Sequence, residues 1–554
     1  MTDIHLPLRE SLTVEFKSDP KGGLSDRVVV ETVVGMSNAE GGTLYIGVND
    51  DGSVSGLRSK RWQDLERTIA FIASNTIPPV AVSAECETVV DGKKILIIQI
   101  PKAIGIVATN DGKVLKRRLK IDKTPETSPL FPQEFVSRLS EIGRCDYSAM
   151  ILPNSSMADL DVKERTRLRD FIRIYHGEKM LFELEDEEFD KALGLVRSVG
   201  DTCMPTVAGL LMMGKEESIR KLLPGATSAF QHLSGTDVVT NEDFVMPLLK
   251  SFDALLERFK ARNTETELED GLFRVAIPTY SERAFREALV NAFCHRDYTR
   301  LHRTSVRFHD DGLEITSPGG FVSGVTLENL LTVEPHPRNP LLADIFKRLG
   351  LAERTGRGID RIFEGNLLYG RPVPDYSESN CEYVRVFFPK CDADPAFYKL
   401  ILDYQKKCNK RISVQSLMIL SSIRFAKRLT FDGLLEATHL PTQRLKRQVE
   451  TLVEEGLLDG IGSGLGREWI LSAQFYKAKS REVAHVRLSQ ADMDKNEEMV
   501  LKLAQEKGTV TRSDVVELLG IKGHTAYRIL TKLMDMGRLV REGDRRWATY
   551  RLAK

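Results

Sequence analysis

Near its C-terminus the chain repeats itself: at an offset of 81 residues, Thr430–Leu458 overlays Thr511–Leu539 without a gap. Thr430 meets Thr511, Glu436 meets Glu517, Arg447 meets Arg528, Leu452 meets Leu533, Gly456 meets Gly537 and Leu458 meets Leu539. Apolar positions keep the same register, Leu434 with Val515, Leu440 with Ile521 and Val449 with Leu530. It persists to Trp469 and Leu471 against Tyr550 and Leu552. Self-similarity at one fixed offset means two copies of one module, which constrains the fold before any element is assigned.

Each copy reads as a short helix (Phe431–Ala437; Arg512–Leu519), a tight turn and a longer amphipathic helix (Thr442–Glu455; His524–Met536). Polar residues stand where N-caps are needed, and a Gly after each long helix marks its stop. A hairpin-like segment follows, Gly-rich in the first copy (IGSGLGREW) and basic in the second (REGDRRWATY). Helix, turn, helix and β wing resembles the winged helix-turn-helix family. The resemblance implies that the second helix enters the major groove of duplex DNA and that the wing touches its backbone. In the second copy His524, Tyr527, Arg528 and Lys532 lie at helical spacing, with Arg541, Arg545 and Arg546 on the wing; phosphate and base contacts use such donors. The first copy sets Arg444, Lys446 and Arg447 against Glu450, Glu454 and Glu455, a weaker DNA-binding face. The bland alternative is a protein-interaction module with a solvated basic helix.

The 554 residues ask for about three to five domains. Hydrophobic residues at 42% and charged residues at 29% exclude a mainly disordered or collagen-like chain. With 79 Lys+Arg against 79 Asp+Glu, the chain does not coat nucleic acid or acidic membrane along its whole surface, so any such binding is local. Seven scattered Cys, with neither C-x-x-C nor zinc spacing, read as reduced thiols. MTDIHLPLRE lacks a signal-peptide core, and no apolar run approaches the roughly 18 residues of a membrane span. These features predict a cytoplasmic protein with no membrane partner.

In the centre, SERAFREALVNAFCHRDYTR places Glu287, Asn291 and His295 four apart. At about 100° per residue they fall within roughly 80° on one helix face. A carboxylate, an amide and an imidazole in a row suit a nucleotide site with Mg²⁺: Glu to orient or deprotonate water, Asn oxygen as metal ligand, His to meet phosphate. An alternating strand (TSVRFH), a turn at Asp310-Asp311-Gly312 and a second strand ending in Pro318-Gly319-Gly320 follow. ERTGRGIDRIFE then puts Gly356 and Gly358 directly before a helix, where free N–H groups and the helix dipole hold phosphate.

The pieces REALVNAFCHRDY, EITSPGGF, EPHPRNPLLADIF and RTGRGIDRI, spread over residues 269–390, resemble the GHKL-type ATPase fold. The version is the divergent one attached to the C-terminal part of RecG-like "ATP-dependent DNA helicase" relatives. The resemblance implies ATP and Mg²⁺, with Glu287 the water-activating base, Asn291 the metal ligand and His295 a phosphate-side contact. Gly319, Gly320, Gly356 and Gly358 fall at the nucleotide. Where that family carries an adenine-reading Asp in a DxGxG box, this chain has Thr316, Ser317, Pro318, Gly319 and Gly320, with no carboxylate. No G-x-x-x-x-G-K-[ST] is present, so helicase activity is not expected.

The N-terminal stretch runs through LRESLTVEFKSD, the helix-like VVVETVVGMSNAEGG, the apolar strand TLYIGV, a turn at Asn49-Asp50-Asp51-Gly52 and a hairpin through Asp91-Gly92. It resembles the Schlafen AlbA-type domain, whose members include nucleic-acid binders and RNA-cleaving proteins with a three-carboxylate centre. By that resemblance Glu10, Glu15 and Asp50 would hold Mn²⁺ or Mg²⁺ to activate water at a phosphorus. The alternative is that Glu15 pairs with a neighbouring Lys or Arg and Asp50 merely starts a turn. Lys113, Lys116, Arg117, Arg118, Lys120 and Lys123 form a basic run, with Arg117 and Arg118 as candidate backbone contacts.

The expectation is an α+β multidomain chain: a Schlafen AlbA-like domain over 1–145, a connecting α/β region over 155–268, a GHKL-like α/β sandwich over 269–390 and two winged helices over 395–475 and 490–554. Its expected work is DNA binding in transcriptional control with a nucleotide switch at the centre. The competing reading is a metal-dependent nuclease acting on RNA or single strands. Double-stranded DNA is the expected partner; RNA and a homo-oligomer stay open.

Overall fold

A valine-rich helix lies at the heart of the first unit. Among the residues that the computed structural model describes (6–20, 23–88, 92–120, 122–270, 273–334, 336–352, 358–462, 467–478, 496–519, 521–543 and 548–553), this unit consists of β1 (Val14–Lys17), α1 (Asp26–Ser37), β2 (Gly42–Ile46), α2 (Leu65–Ser74), β3 (Ser83–Thr88), β4 (Lys94–Ile100), β5 (Leu115–Leu119), β6 (Pro125–Pro129) and α3 (Pro132–Glu141). Valine is a poor helix former, so burial rather than propensity holds α1. Val29, Val33, Val34 and Met36 are fully buried in one cluster with Leu44, Leu96 and Ile98. The sheet has the order β1-β2-β4-β3, with β1 and β2 parallel and the other pairs antiparallel. The Gly-Gly turn before β2 is obligatory: Gly42 has φ +133°, and a Cβ there would collide with the Thr13 carbonyl.

The chain then runs through α4 (Val162–Ile174) into a hairpin of β7 (Ser228–Ser234) and β8 (Asp237–Phe244), followed by α5 (Leu248–Arg262) and α6 (Glu282–Cys294). Next come β9 (Thr304–Phe308), β10 (Gly312–Pro318), α7 (Pro340–Arg348), α8 (Gly358–Leu367) and β11 (Tyr383–Pro389). One five-stranded sheet has the order β8-β7-β9-β10-β11. It joins strands from both sides of the expected boundary at 268/269, because β7 pairs parallel with β9 from Ser228↔Thr304 to His232↔Phe308. The central unit therefore extends back to include 228–262. On β10, Ile315 and Ser317 face α6, while Glu314 and Thr316 face the other way; Glu314 accepts from Arg307, Arg385 and the Thr316 hydroxyl.

The two repeat copies fold alike. The first has α9 (Val414–Ala426), β12 (Leu429–Thr430), α10 (Phe431–Thr438), α11 (Thr442–Glu454), β13 (Leu458–Ile461) and β14 (Glu468–Leu471); the second has α12 (Asn496–Lys507), β15 (Val510–Thr511), α13 (Arg512–Leu519), α14 (Gly523–Asp535), β16 (Leu539–Glu542) and β17 (Thr549–Leu552). Each forms a three-stranded sheet, β12-β14-β13 and β15-β17-β16. The pairs Leu429↔Trp469 and Val510↔Tyr550 repeat at the offset read from the sequence. Their surroundings differ. The first copy shares one continuous core with the central unit, running from Leu160 to Tyr476, and Arg424 ties it down through Asp394 at 3.0 Å. The second copy buries its own cluster around Leu503, Leu530 and Tyr550. Among the described residues no helix is long and apolar enough to cross a membrane.

Candidate nucleotide site

Helix α6 starts at Ser281, whose hydroxyl accepts the Ala284 N–H, and carries Glu282 in its first turn. Its C-terminal carbonyls are satisfied by residues from elsewhere, as a buried helix end requires. Ser317 Oγ donates to the Ala292 carbonyl at 2.6 Å. Asn339 Nδ2 donates to the carbonyls of Cys294 (3.0 Å) and Arg296 (2.8 Å), and Arg338 Nε to that of His295 (3.1 Å). The Arg338 and Asn339 pair within EPHPRNPLLADIF thus fixes the helix that presents Glu287, Asn291 and His295.

Those three side chains line one cavity of about 440 Å³, together with Gly319, Gly320 and Gly358. Its apolar walls include Ile315, Val322, Tyr376, Val384 and Val386. Glu287 is 4% exposed and lies 3.5 Å from Arg361 Nη1. Burial pushes its carboxyl above the ordinary range, and Arg361 offsets part of that rise. Gly358 opens α8 against this carboxylate, and a Cβ at that position would collide with Glu287 Oε1. Gly319 adopts φ +93°, and a Cβ there would lie 2.8 Å from Asp297 Cβ, so the Pro-Gly-Gly turn accepts no larger residue without strain. Burial, then Arg338 and His336, push the His295 imidazole down to about 4, so it is neutral at physiological pH. It meets an anion as a hydrogen-bonding ring rather than as a cation. The Asn291 amide has no hydrogen-bond partner among the described residues. Gly356 lies outside the described residues.

Asp344 and Lys347, one turn apart on α7, also line the cavity, as do His336 and Tyr376. No single-residue signal marked them in the sequence. The segment EPHPRNPLLADIF, which carries His336 and Asp344, was recognisable only as a whole, and Lys347 and Tyr376 lie outside it.

At the N-terminal carboxylates Glu10, Glu15 and Asp50, the described residues contain no cluster of three metal-liganding side chains. The competing partners are visible. Glu15 is held by the guanidinium of Arg117 and the ammonium of Lys17. Glu10 Oε1 accepts the Phe16 N–H at 2.9 Å, and Asp50 sits exposed in the turn that follows β2. Arg117, read as a nucleic-acid contact, is 2% exposed and also donates to the carbonyls of Ser11 and Val14, both at 2.9 Å. Arg118 lies over the Phe131 ring and bonds Glu134 at 3.1 Å. Lys113, Lys116 and Lys120 face Glu31, Glu134 and Glu126 in turn, so these members of the basic run are matched by acids.

In the repeat copies Arg444 and Arg447 are exposed on α11, and His524, Tyr527, Arg528 and Lys532 are exposed on α14. Lys532 pairs with Glu497 at 2.6 Å. Arg545 and Arg546 lie outside the described residues.

Residues 10–125 match the family model described as "Schlafen, AlbA_2", residues 302–388 the one described as "Putative ATP-dependent DNA helicase recG C-terminal", and residues 138–228 a domain of unknown function. No curated protein sequence matches the chain. A solved structure of the DIP2311 protein from Corynebacterium diphtheriae is similar at 20% identity and a TM-score of 0.48, covering 98% of this chain and 95% of that one. The chain thus joins a Schlafen AlbA_2 domain to a RecG C-terminal-type HATPase domain, the domain composition of a nucleic-acid-related, ATPase-like protein.

Proposed function

We propose that this chain is a DNA-binding transcriptional regulator whose central cavity takes ATP with Mg²⁺ and acts as a nucleotide switch. The observation that carries the reading is the convergence of Glu287, Asn291, His295, Gly319, Gly320 and Gly358 on one cavity, with the Asn291 amide unspent among the described residues. The volume suits a small ligand, and the donor set suits a phosphate-bearing one. Asn291 Oδ1 is the group that would hold the metal, which supplies charge neutralisation at the phosphates. Glu287 faces Arg361 and must leave it to activate water, so the site binds nucleotide rather than turning it over rapidly. Thr316–Gly320 offers no carboxylate for the base, and Ser317 spends its hydroxyl proton on Ala292, so apolar walls hold the base.

The two repeat copies act as winged helices, and the second is the DNA-binding one. It has a core of its own and exposes His524, Tyr527 and Arg528 on a single helix. Arg117 and Lys17 occupy Glu15, a carboxylate that a nuclease centre would need.

Calorimetry on the full chain with ATP and Mg²⁺ should show saturable binding that Asn291→Ala weakens by about tenfold or more. No binding to the wild type would sink the nucleotide reading. Duplex DNA should bind with an affinity that falls steeply with salt, and Arg528→Ala should weaken it and lower the log–log salt slope by about 1. An unchanged slope and affinity would remove α14 from the interface.

A further inference from the structure

The cavity is held in shape by residues outside it. Ser137 Oγ, on α3, donates to Asp297, the buried carboxylate under the Gly319 turn. Ser140 Oγ donates to the Arg338 carbonyl at 2.9 Å, and Arg338 itself bonds the carbonyls of His295 and Gly320 (2.9 Å). The Glu141 carbonyl accepts the Ser323 N–H at 3.2 Å. Asn339 makes no side-chain cap for α7, its Nδ2 being turned to the carbonyls of Cys294 and Arg296. Asp146 and Ser148 supply one, accepting the N–H groups of Leu341 (2.8 Å) and Leu342 (3.2 Å). The same segment is tied back to the N-terminal unit. Arg138 bonds the Ala103 carbonyl, and Lys102 bridges Glu40 (3.3 Å) and Glu141 (3.0 Å).

We propose that residues 137–148 are a positioning strap that couples the N-terminal unit to the central cavity. The strap fixes the Gly319 turn, the Arg338 cap and the start of α7, so a ligand that needs these three in place tightens the strap and the Ala103 loop beyond it. By linkage, a slackened strap lowers ligand affinity. This coupling rests on the nucleotide reading only where ligand is invoked, since the bonds themselves exist without it.

Hydrogen exchange of the full chain separates the two claims. Without ligand, Ser140→Ala and Asp146→Ala should each speed exchange over 318–334 and 336–346, whereas Asp146→Asn, which keeps an acceptor, should match the wild type. With ATP and Mg²⁺, the wild type should slow exchange over 137–148 and 100–107. Ser140→Ala should bind about fivefold more weakly and lose the slowing at 100–107. Unchanged ligand-free exchange in both Ala variants overturns the strap, whatever ATP does. If wild type fails to bind ATP while the Ala variants do exchange faster, the nucleotide reading falls and the strap stands. Equal ATP affinity in Ser140→Ala and wild type, with the 100–107 response retained, overturns the coupling.

Discussion

Replacing Arg117 by Ala is expected to destabilise the N-terminal unit by about 3 kcal/mol, at the lower end of the roughly 3–5 kcal/mol lost when one partner of a buried ion pair is removed. The guanidinium is 2% exposed and meets a carboxylate, Glu15, that is itself 7% exposed. Without it Glu15 keeps Lys17 as its one cationic partner among the described residues, the Ser11 carbonyl loses the guanidinium donor, and the Val14 carbonyl is left with the Ser11 N–H. Lys17 is why the low end applies. The companion change Arg118→Ala removes a partly exposed guanidinium and should cost no more than about 1 kcal/mol. Trp62, 1% exposed in the N-terminal core, reports the transition by fluorescence in a Trp469→Phe, Trp547→Phe background during urea unfolding. Equal midpoints for the two variants would show that Arg117 is not a structural cation.

That pair marks the limit of what the sequence could show in this region. Glu15 and Arg117 meet because the β5–β6 hairpin lies across the start of β1, and no local pattern encodes such a long-range meeting. A run of basic residues looks the same whether acids face it or water does. The central sheet teaches the same lesson. The β9–β10 hairpin was legible from alternation and its Asp-Asp-Gly turn, but β7 joins it in parallel from well upstream, and a parallel partner is set by topology rather than by a turn.

What was legible rests on local periodicity. The repeat gave α10, α11, α13 and α14 to within a residue or so at either end, because apolar spacing and the Gly stops are properties of each segment alone. The i, i+4, i+8 spacing placed Glu287, Asn291 and His295 along one face of α6, and they line one cavity. Spacing did not reveal that His295 is the C-cap rather than an interior residue, nor that Arg338 and Asn339 hold that end. Capping from a distant loop leaves no mark in the helix it caps.

The position of His295 sets the second large expectation. The imidazole of an ordinary histidine titrates near about 6.5, and here burial, with Arg338 and His336 beside it, lowers the value to about 4. Folding therefore favours the neutral ring. Its contribution to stability is fully present above about pH 6.5 and is lost as pH falls toward about 4, because the unfolded chain takes up the proton first. The difference corresponds to about 3 kcal/mol, trimmed toward about 2 kcal/mol because the ring is only half-buried. Carboxylates such as Asp297 and Glu314, held below their ordinary range once burial is outweighed by their Arg partners, also lose stability in acid. Only the difference between two proteins isolates the imidazole. Urea unfolding followed at Trp469, which belongs to the core shared by the central unit and the first repeat copy, should show wild type losing about 2 kcal/mol more than His295→Gln between pH 7.5 and pH 4.5. Parallel losses in the two proteins would mean that His295 is solvated and already protonates at its ordinary value. In that event it would meet a phosphate as a cation near pH 6, and the neutral hydrogen-bonding role derived from its burial would be wrong.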